Sequence, residues 1–284
     1  MRRRELNRLR PKTMFTLEAI GDFEDPRLAP FRNMRAQSDH LGRGLFIAEG
    51  EKIVRRLLES PHQTVSVLLP EEWRQEYERL LATREESIPL FVAPKSVLNQ
   101  LTGFKLFQGV LSLGRIPAPA PLDQLAAQLP SPKLFAAVDD ISSAVNVGLV
   151  VRNAAALGVQ ALVVGETSAH PYLRRAVRSA MGTIFKLPYH VSRDLTETLR
   201  FLRGAGVRCL AAHPHAEQRF LPDADLRGDC CIVLGSEGEG IRPEVLRACD
   251  EAIAIPMQAG VDSLNVGNAS AVFFYEARRQ RQAL

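Results

Sequence analysis

A proline-rich segment at residues 115–133 divides the 284-residue chain into two parts. Its prolines stand at positions 117, 119, 121, 130 and 132. Proline fixes φ and lacks a backbone N–H, so prolines at this density prevent a continuous helix or a central strand. We therefore predict two domains, at residues 1–115 and 134–284. We expect a linker over 116–133 to join them, with one short helix near Leu122–Leu129.

Both parts alternate short apolar runs with segments of helical periodicity, a pattern that predicts an α/β fold. In the first part, GLFIAEG leads into EKIVRRLLES, whose apolar residues recur on one helix face. In the second part, LFAAVDD, ALVVG, VRCLAA and CCIVLG are typical of buried strands. We expect a parallel sheet flanked by helices in each domain.

Composition is that of an ordinary globular protein, with 46% hydrophobic and 24% charged residues. No apolar run approaches the ~20 residues of a membrane span, and the basic N-terminus lacks the apolar centre of a signal peptide. We therefore expect a cytoplasmic protein. The net charge of +4 is compatible with a polyanionic partner. We expect residues 1–13 to be a disordered basic tail. Met14 is a plausible alternative translation start, so the sequence leaves open whether residues 1–13 belong to the native protein.

Cysteines and histidines give no metal signal. None of the four cysteines forms a C-x-x-C pair, and Cys230 and Cys231 open an apolar run, which favours two buried reduced thiols. His213 and His215 supply at most two ligands, so a polar loop is the preferred interpretation.

Three segments of the second part carry residues suited to chemistry. The first is DDISSAVNVGLVVRNAAALGV, in which Arg152 is the sole charged side chain from Ile141 to Gly165. Such an arginine either has a specific role or reaches solvent from a helix edge, and this segment alone does not decide between the two. Asn146 is likewise either a functional group or a capping residue.

The second segment, IVLGSEGEGIRPEVL, runs from a strand into a glycine-rich loop before a helix near Pro243. Ligands bind beyond the carboxyl ends of parallel strands, and glycine permits close backbone approach. Glu237 and Glu239 make this loop a poor phosphate cradle, so a cofactor other than a polyphosphate suits it better. A plain strand-to-helix turn has the same local pattern.

The third segment, AIAIPMQAGVDSLNVGNASAVFFYEARRQR, passes from a short strand through a loop into a long helix. Ser263 and Asn265 fall where a helix N-terminus presents free N–H groups. Simple capping is the alternative interpretation of both residues.

Three sequence motifs, in this order along the chain, resemble the signature motifs of the SpoU/TrmH family. They are N-V-G-x-x-x-R-N, L-G-S-E-G-E-G and I-P-M-x-x-G-x-x-S-L-N-V. These proteins are RNA 2′-O-ribose methyltransferases of the SPOUT superfamily, and the resemblance covers about Leu134 to Arg279. It implies a parallel sheet with a C-terminal deep trefoil knot, an exception to the rule that chains avoid knots. Less specifically, FRNMR…GLFIAEGEKIVRRLL resembles the ribosomal-protein-like α/β domain that binds RNA in many members.

The resemblance also implies S-adenosylmethionine as the cofactor, a homodimer and an RNA substrate, with ribosomal RNA favoured over transfer RNA. The residues expected to form the cofactor pocket are Gly235, Gly238, Ile255, Met257 and Leu264. Arg152 is implied as the catalytic arginine, and the supporting polar residues are Asn146, Glu237, Ser263 and Asn265. No metal is required. The side chains expected to contact RNA phosphates in the first domain are Arg35, Arg43, Lys52, Arg55 and Arg56.

Arginine has a pKa above ~12, so Arg152 is a poor base, and we expect it to grip the phosphate beside the target ribose. The sequence leaves the proton acceptor and the target nucleotide open.

The third motif departs from the family pattern after its S-L-N-V. Family members often have S-L-N-V-S-V-A, whereas this chain places Gly267 and Asn268 in the first turns of a helix, where glycine costs ~1 kcal/mol. The sequence around Ser142 and Ser143 also departs from the commoner D-P-x-N-x-G.

Two other classes of protein are compatible with parts of this pattern. A dinucleotide-dependent enzyme would explain glycine-rich loops in an α/β chain, but no G-x-G-x-x-G follows an early strand. A non-catalytic RNA-binding protein on the same scaffold is the second alternative, and the presence of Arg152, Glu237 and Asn265 argues against it.

Overall fold

The computed structural model describes residues 15–32, 37–102, 109–216 and 219–282. The chain forms two compact units, residues 1–117 and residues 118–284. The predictions made for the tail at 1–13 and for Arg35 lie outside the described residues.

The first unit is built on a five-stranded sheet. Its elements are β1 (Phe15–Ala19), α1 (Ala29–Arg32), α2 (Gln37–Gly42), β2 (Leu45–Glu49), α3 (Glu51–Leu58), β3 (Thr64–Leu69), α4 (Arg74–Leu81), β4 (Ile88–Val92), α5 (Lys95–Thr102) and β5 (Leu111–Arg115). The strand order is β1-β4-β3-β5-β2. β4 is parallel to β1 and β3, whereas β5 is antiparallel to β2 and β3. The prediction of a parallel sheet is therefore wrong for this unit, because an apolar run reports burial and not strand direction.

The second unit has a fully parallel six-stranded sheet, as predicted. Its elements are α6 (Leu122–Gln128), β6 (Leu134–Val138), α7 (Ala144–Leu157), β7 (Ala161–Val164), α8 (Arg174–Ser179), β8 (Tyr189–Val191), α9 (Leu195–Gly204), β9 (Arg208–Ala212), β10 (Cys230–Leu234), α10 (Pro243–Ala248), β11 (Glu251–Ile253) and α11 (Val266–Gln282). The order β11-β9-β10-β6-β7-β8 reverses between β6 and β10. Parallel α/β sheets bind ligands at such a reversal, beyond the carboxyl ends of the strands.

The proline-rich segment differs from the free linker that its prolines predict. Residues 118–133 belong to the second unit, where Leu125 and Ala126 of α6 are buried in the core. The Ala120 amide donates to the Tyr189 carbonyl at 2.8 Å. The prediction of a linker over 116–133 is corrected accordingly, since proline prevents regular structure but does not stop the side chains between prolines from entering a core.

Helices α7 and α11 cross at very short range. A Cβ built on Gly267 would lie 2.8 Å from the Leu149 Cβ, so only glycine fits at this point of the crossing. The Asn153 side chain donates to the Gly267 carbonyl at 2.7 Å and to the Ser270 Oγ at 2.9 Å. The close approach offsets the low helix propensity of Gly267, and it packs the first motif against the third.

Arg281, near the end of α11, links this helix to the edge of the sheet at which β6 and β10 begin. Its guanidinium donates to the carbonyl oxygens of Leu226, Pro132, Lys133 and Gly228 at 2.7–3.0 Å. Pro132 and Lys133 precede β6, and Gly228 precedes β10. One side chain therefore joins the last helix to the start of both central strands.

Cys230 and Cys231 are buried in β10 as free thiols, as the apolar run predicts. Burial raises the pKa of the Cys249 thiol to about 12. None of the helices in the described ranges combines the length and the apolarity that crossing a bilayer requires.

Candidate active site

Three loops meet at the carboxyl edge of the second sheet, where the strand order reverses. They follow β6, β10 and β11 and carry the three motifs in turn. The first loop ends where the Ser143 hydroxyl accepts from the Asn146 amide at 3.4 Å and caps α7. The second closes on itself through paired backbone bonds of 2.9 and 3.1 Å between Ser236 and Gly240, whose φ is +72°. This closed turn places Glu237 at its tip.

Glycine at position 235 is required by the loop itself. A Cβ at this position would lie 2.3 Å from the Gly240 carbonyl carbon and oxygen, and 2.4 Å from the Ile241 nitrogen. Nothing lies within 4 Å of a Cβ built on Gly238. Close approach of a ligand is the role predicted for these glycines, whereas Gly235 already meets the backbone of its own turn.

Glu237 joins the polar residues of all three motifs. Its carboxylate accepts from the Asn146 Nδ2 at 2.7 Å and from the Asn265 Nδ2. The Asn265 Nδ2 also lies 3.3 Å from the Asn146 Oδ1, and the Asn265 Oδ1 accepts from the Gly267 amide at 2.9 Å. Three residues predicted as supporting polar groups therefore form one hydrogen-bonded cluster, and Asn265 also caps α11.

A cavity of about 410 Å³ opens beside this cluster. Its wall includes Glu237, Ser263 and all the residues expected to hold the cofactor, namely Gly235, Gly238, Ile255, Met257 and Leu264. Leu234 and Phe273 add apolar surface. This volume and this mixture of apolar walls with a few polar groups are typical of small-molecule sites.

The charges of the cavity favour a cationic ligand over a polyphosphate. Carboxylates line it at Glu237, Glu239 and Asp262, and none of the described lining residues is lysine or arginine. Pyrophosphate recognition ordinarily uses cationic side chains or an open helix N-terminus. The cavity therefore gives no support to a dinucleotide-dependent enzyme.

His213, which is predicted to lie in an ordinary polar loop, is a residue of the cavity wall. The bond from its amide to the Ile253 carbonyl, at 3.0 Å, holds it beyond the end of β9. His213 lines the cavity, and its Nδ1 is buried without a hydrogen-bond partner among the described residues. Burial, with a contribution from His215, lowers the pKa of His213, so the ring is mostly neutral at pH 7. An unsatisfied buried ring nitrogen fits a site that gains polar contacts when a ligand binds.

Arg152 stands apart from this cluster. It lies on α7 one turn after Gly148, and its side chain is exposed. Within the described parts of the chain it makes no hydrogen bond or ion pair with any residue. Its guanidinium is therefore open to an incoming anion. In the same residues, no group of histidine, cysteine, aspartate and glutamate is arranged to hold a metal ion.

Residues 133–275 match the model of the SpoU rRNA Methylase family. An uncharacterized tRNA/rRNA methyltransferase of Mycobacterium tuberculosis is 34% identical over 271 residues, which cover 93% of this chain and 92% of that protein. The 23S rRNA (guanosine-2'-O-)-methyltransferase RlmB of Ralstonia nicotianae is 32% identical over 206 residues, or 72% of this chain and 82% of that protein.

Among solved structures, the SpoU methyltransferase AviRb from Streptomyces viridochromogenes, in complex with the cofactor AdoMet, matches with a TM-score of 0.77. The two chains are 25% identical, and the match covers 90% of this chain and 98% of that chain. The chain therefore belongs to the SpoU family of RNA methyltransferases, which confirms the family that the three motifs indicate.

Proposed function

We propose that this protein methylates a ribose 2′-hydroxyl in structured RNA, with ribosomal RNA favoured over transfer RNA. The observation that carries the proposal is the meeting of Asn146, Glu237 and Asn265 beside the cavity. S-adenosylmethionine is the cofactor, and when bound it supplies an electrophilic methyl group. The relatives support the substrate class, since one is named a 23S rRNA guanosine-2'-O-methyltransferase.

The cavity fits this cofactor through its own residues. The backbone at Gly235 and Gly238 and the apolar side chains of Ile255, Met257 and Leu264 would hold it. Glu239 and Asp262 would favour its positive charge. A neutral His213 offers one ring nitrogen as a donor and the other as an acceptor.

Methyl transfer to a hydroxyl needs in-line placement, which can supply ~7–11 kcal/mol of the barrier in favourable cases. We assign the placement of the RNA to Arg152, which grips the phosphate next to the target ribose through its planar fork of donors. Glu237, held by the two asparagines, and the exposed Ser263 line the cavity that would hold the cofactor. The proton acceptor is not assigned to any residue.

We assign RNA selection to the first unit, as the ribosomal-protein-like resemblance implies. Arg43 and Lys52 are exposed, and the described residues offer neither of them an ion-pair partner. Arg55 differs from the expectation, because Glu51 at 2.8 Å and Glu76 already pair with it. Arg43 and Lys52 are therefore better candidates for phosphate contacts, and such contacts make RNA affinity fall with salt.

The activity is tested with labelled S-adenosylmethionine and ribosomal or transfer RNA, followed by nuclease digestion and mass spectrometry of the nucleosides. We expect a 2′-O-methylnucleoside from ribosomal RNA. A methylated base, or cofactor binding without methyl transfer to either RNA, would contradict the proposal.

Removing the first unit separates RNA selection from cofactor binding. We expect residues 118–284 to bind S-adenosylmethionine with the affinity of the full chain and to lose methylation of the RNA target. The full chain lacking residues 1–13 serves as the control and should keep both properties. A fragment that methylates the same nucleotide at the full rate would show that the first unit does not select the RNA.

We also propose a homodimer and the deep trefoil knot of the superfamily. Val145 on α7 and Val272 and Tyr275 on α11 expose 43%, 39% and 60% of their surface, which a second copy would cover. Light scattering at micromolar concentration should give twice the chain mass of 31.4 kDa, and a single chain's mass would contradict the dimer.

The knot requires the loop after β11 or α11 to thread another loop, and an experimental structure with an unknotted path would refute it.

A further inference from the structure

An ion-pair cluster lies at the carboxyl edge of the second sheet, at the end of the glycine-rich loop that follows β10. Asp139 directly follows β6 and is fully buried. Glu166 comes two residues after β7, and Arg242 ends the loop after β10 and immediately precedes α10. No local pattern in the sequence marks these three residues as partners.

Arg242 is held by two carboxylates at once. Its amide donates to the Asp139 Oδ2 at 2.8 Å, its Nε donates to the Asp139 Oδ1 at 2.8 Å, and its Nη2 lies 2.7 Å from that same Oδ1. The Nη2 also lies 2.7 Å from the Glu166 Oε1, while the Glu166 Oε2 accepts from the Leu195 amide at the start of α9. Burial disfavours the guanidinium charge, but these pairs outweigh it and raise the pKa of Arg242.

The same two chain segments are thus bridged twice. Asp139 and Asn146 lie on the segment that leads from β6 into α7, and Glu237 and Arg242 lie on the loop after β10. One bridge joins Asp139 to Arg242, and the other joins Asn146 to Glu237 at 2.7 Å. Since Arg242 fixes the end of the loop, it limits where Glu237 lies relative to Asn146.

We propose that Arg242 is a positioning residue for methyl transfer, with Asp139 as its anchor. Their pair holds residues 235–241 against residues 139–146, so that Glu237 stays bonded to Asn146 and Asn265. This inference rests on the proposed function and deepens it. Apolar side chains of similar volume commonly replace a buried ion pair without loss of stability, so stability alone does not explain these charges.

The test is Arg242→Lys, which keeps the charge but cannot reproduce the paired Nε and Nη2 contacts. We expect kcat to fall at least tenfold, with RNA affinity unchanged. Glu237→Gln should also lower kcat, and the double variant should be no slower than Glu237→Gln alone, because both changes act on one contact. If the loss of kcat in the double variant equals the product of the losses in the two single variants, the positioning role would be overturned.

Hydrogen exchange on the free protein gives a measurement that needs neither RNA nor methyl transfer. We expect the amides of residues 236–241 to exchange at least tenfold faster in Arg242→Lys. Unchanged exchange there, or equal acceleration across the whole unit, would overturn the proposal even if the enzyme's reaction proves different. Should Arg242→Lys fail to fold, Glu166→Gln removes only one of the two carboxylate charges and should accelerate the same amides to a smaller extent.

Arg203→Lys is the matched control. Arg203 donates to Asp250 at 2.7 Å, and Asp250 accepts from the Cys209 amide at the start of β9, at the other edge of the sheet. This variant also exchanges an ion-paired arginine for lysine, so it should leave kcat and the exchange of residues 236–241 unchanged. A tenfold loss of kcat in Arg203→Lys would show that replacing an ion-paired arginine elsewhere in the unit has the same effect, and it would overturn the specific role of Arg242.

Discussion

Arg152→Ala should lower methyl transfer by about 100- to 1,000-fold, the loss typical when one charge-stabilising donor is removed from an active site. The variant should remain folded and should bind S-adenosylmethionine with unchanged affinity. Arg152 is exposed on α7 and has no ion pair within the described residues, so truncation leaves no buried charge behind. Alanine also has a helix propensity as good as that of arginine or better.

Single-turnover methyl transfer measures the loss, and titration calorimetry measures the cofactor affinity. Arg247→Ala is the matched control, because Arg247 is likewise an exposed helical arginine but lies on α10. It should retain full activity. Arg152→Lys should recover only part of the rate, since an ammonium cannot make the forked contact with a phosphate. Near-normal activity in Arg152→Ala would remove this residue from the reaction.

Gly235→Val should abolish measurable cofactor binding and destabilise the second unit by about 3 kcal/mol, at the upper end for overpacking. The added Cβ would lie 2.3 Å from the Gly240 backbone, which cannot shift without opening the turn that presents Glu237. Calorimetric titration reports the affinity, and denaturant unfolding reports the stability. Unchanged affinity would show that this turn does not shape the pocket.

Two other glycines separate the causes of that loss. Gly228→Val adds a Cβ that has no protein atom within 4 Å, on the exposed loop before β10, and it should change neither stability nor affinity. Gly238→Ala also meets no protein atom within 4 Å, although Gly238 lines the cavity. We expect it to keep its stability while binding the cofactor more weakly, because the new methyl group would face the ligand.

Local signals in the sequence located many of the elements around the site. Gly158 follows the end of α7 with the left-handed φ of +89° that glycine favours after a helix, so a capping rule applied to the sequence marks this helix end. Asp194 accepts from the Glu197 amide and caps α9, which is a local signal of the same kind, and the four apolar runs predicted as buried strands form β6, β7, β9 and β10. These features depend on neighbouring residues, which is why periodicity and capping rules found them.

Partnerships between distant residues were beyond such rules. Asn146 and Glu237 are 91 residues apart, and only the order of the three motifs predicts that they act together. Asp139 and Arg242, 103 residues apart, carried no motif and were missed. The antiparallel direction of β5 and the docking of α6 were missed for the same reason, since apolar periodicity records burial without naming the partner.

The bonds of Arg281 also bear on how this protein matures during translation. Among the described residues, α11 is synthesised after all six strands of the second sheet; it supplies Phe273 to the cavity wall and carries the bonds that join it to the starts of β6 and β10. A nascent chain that has not reached α11 holds all six strands of this sheet but lacks both this wall and this tie. A chain that stops before Arg281 would therefore carry its three motifs intact, while α11 would lack its bonds to the starts of β6 and β10.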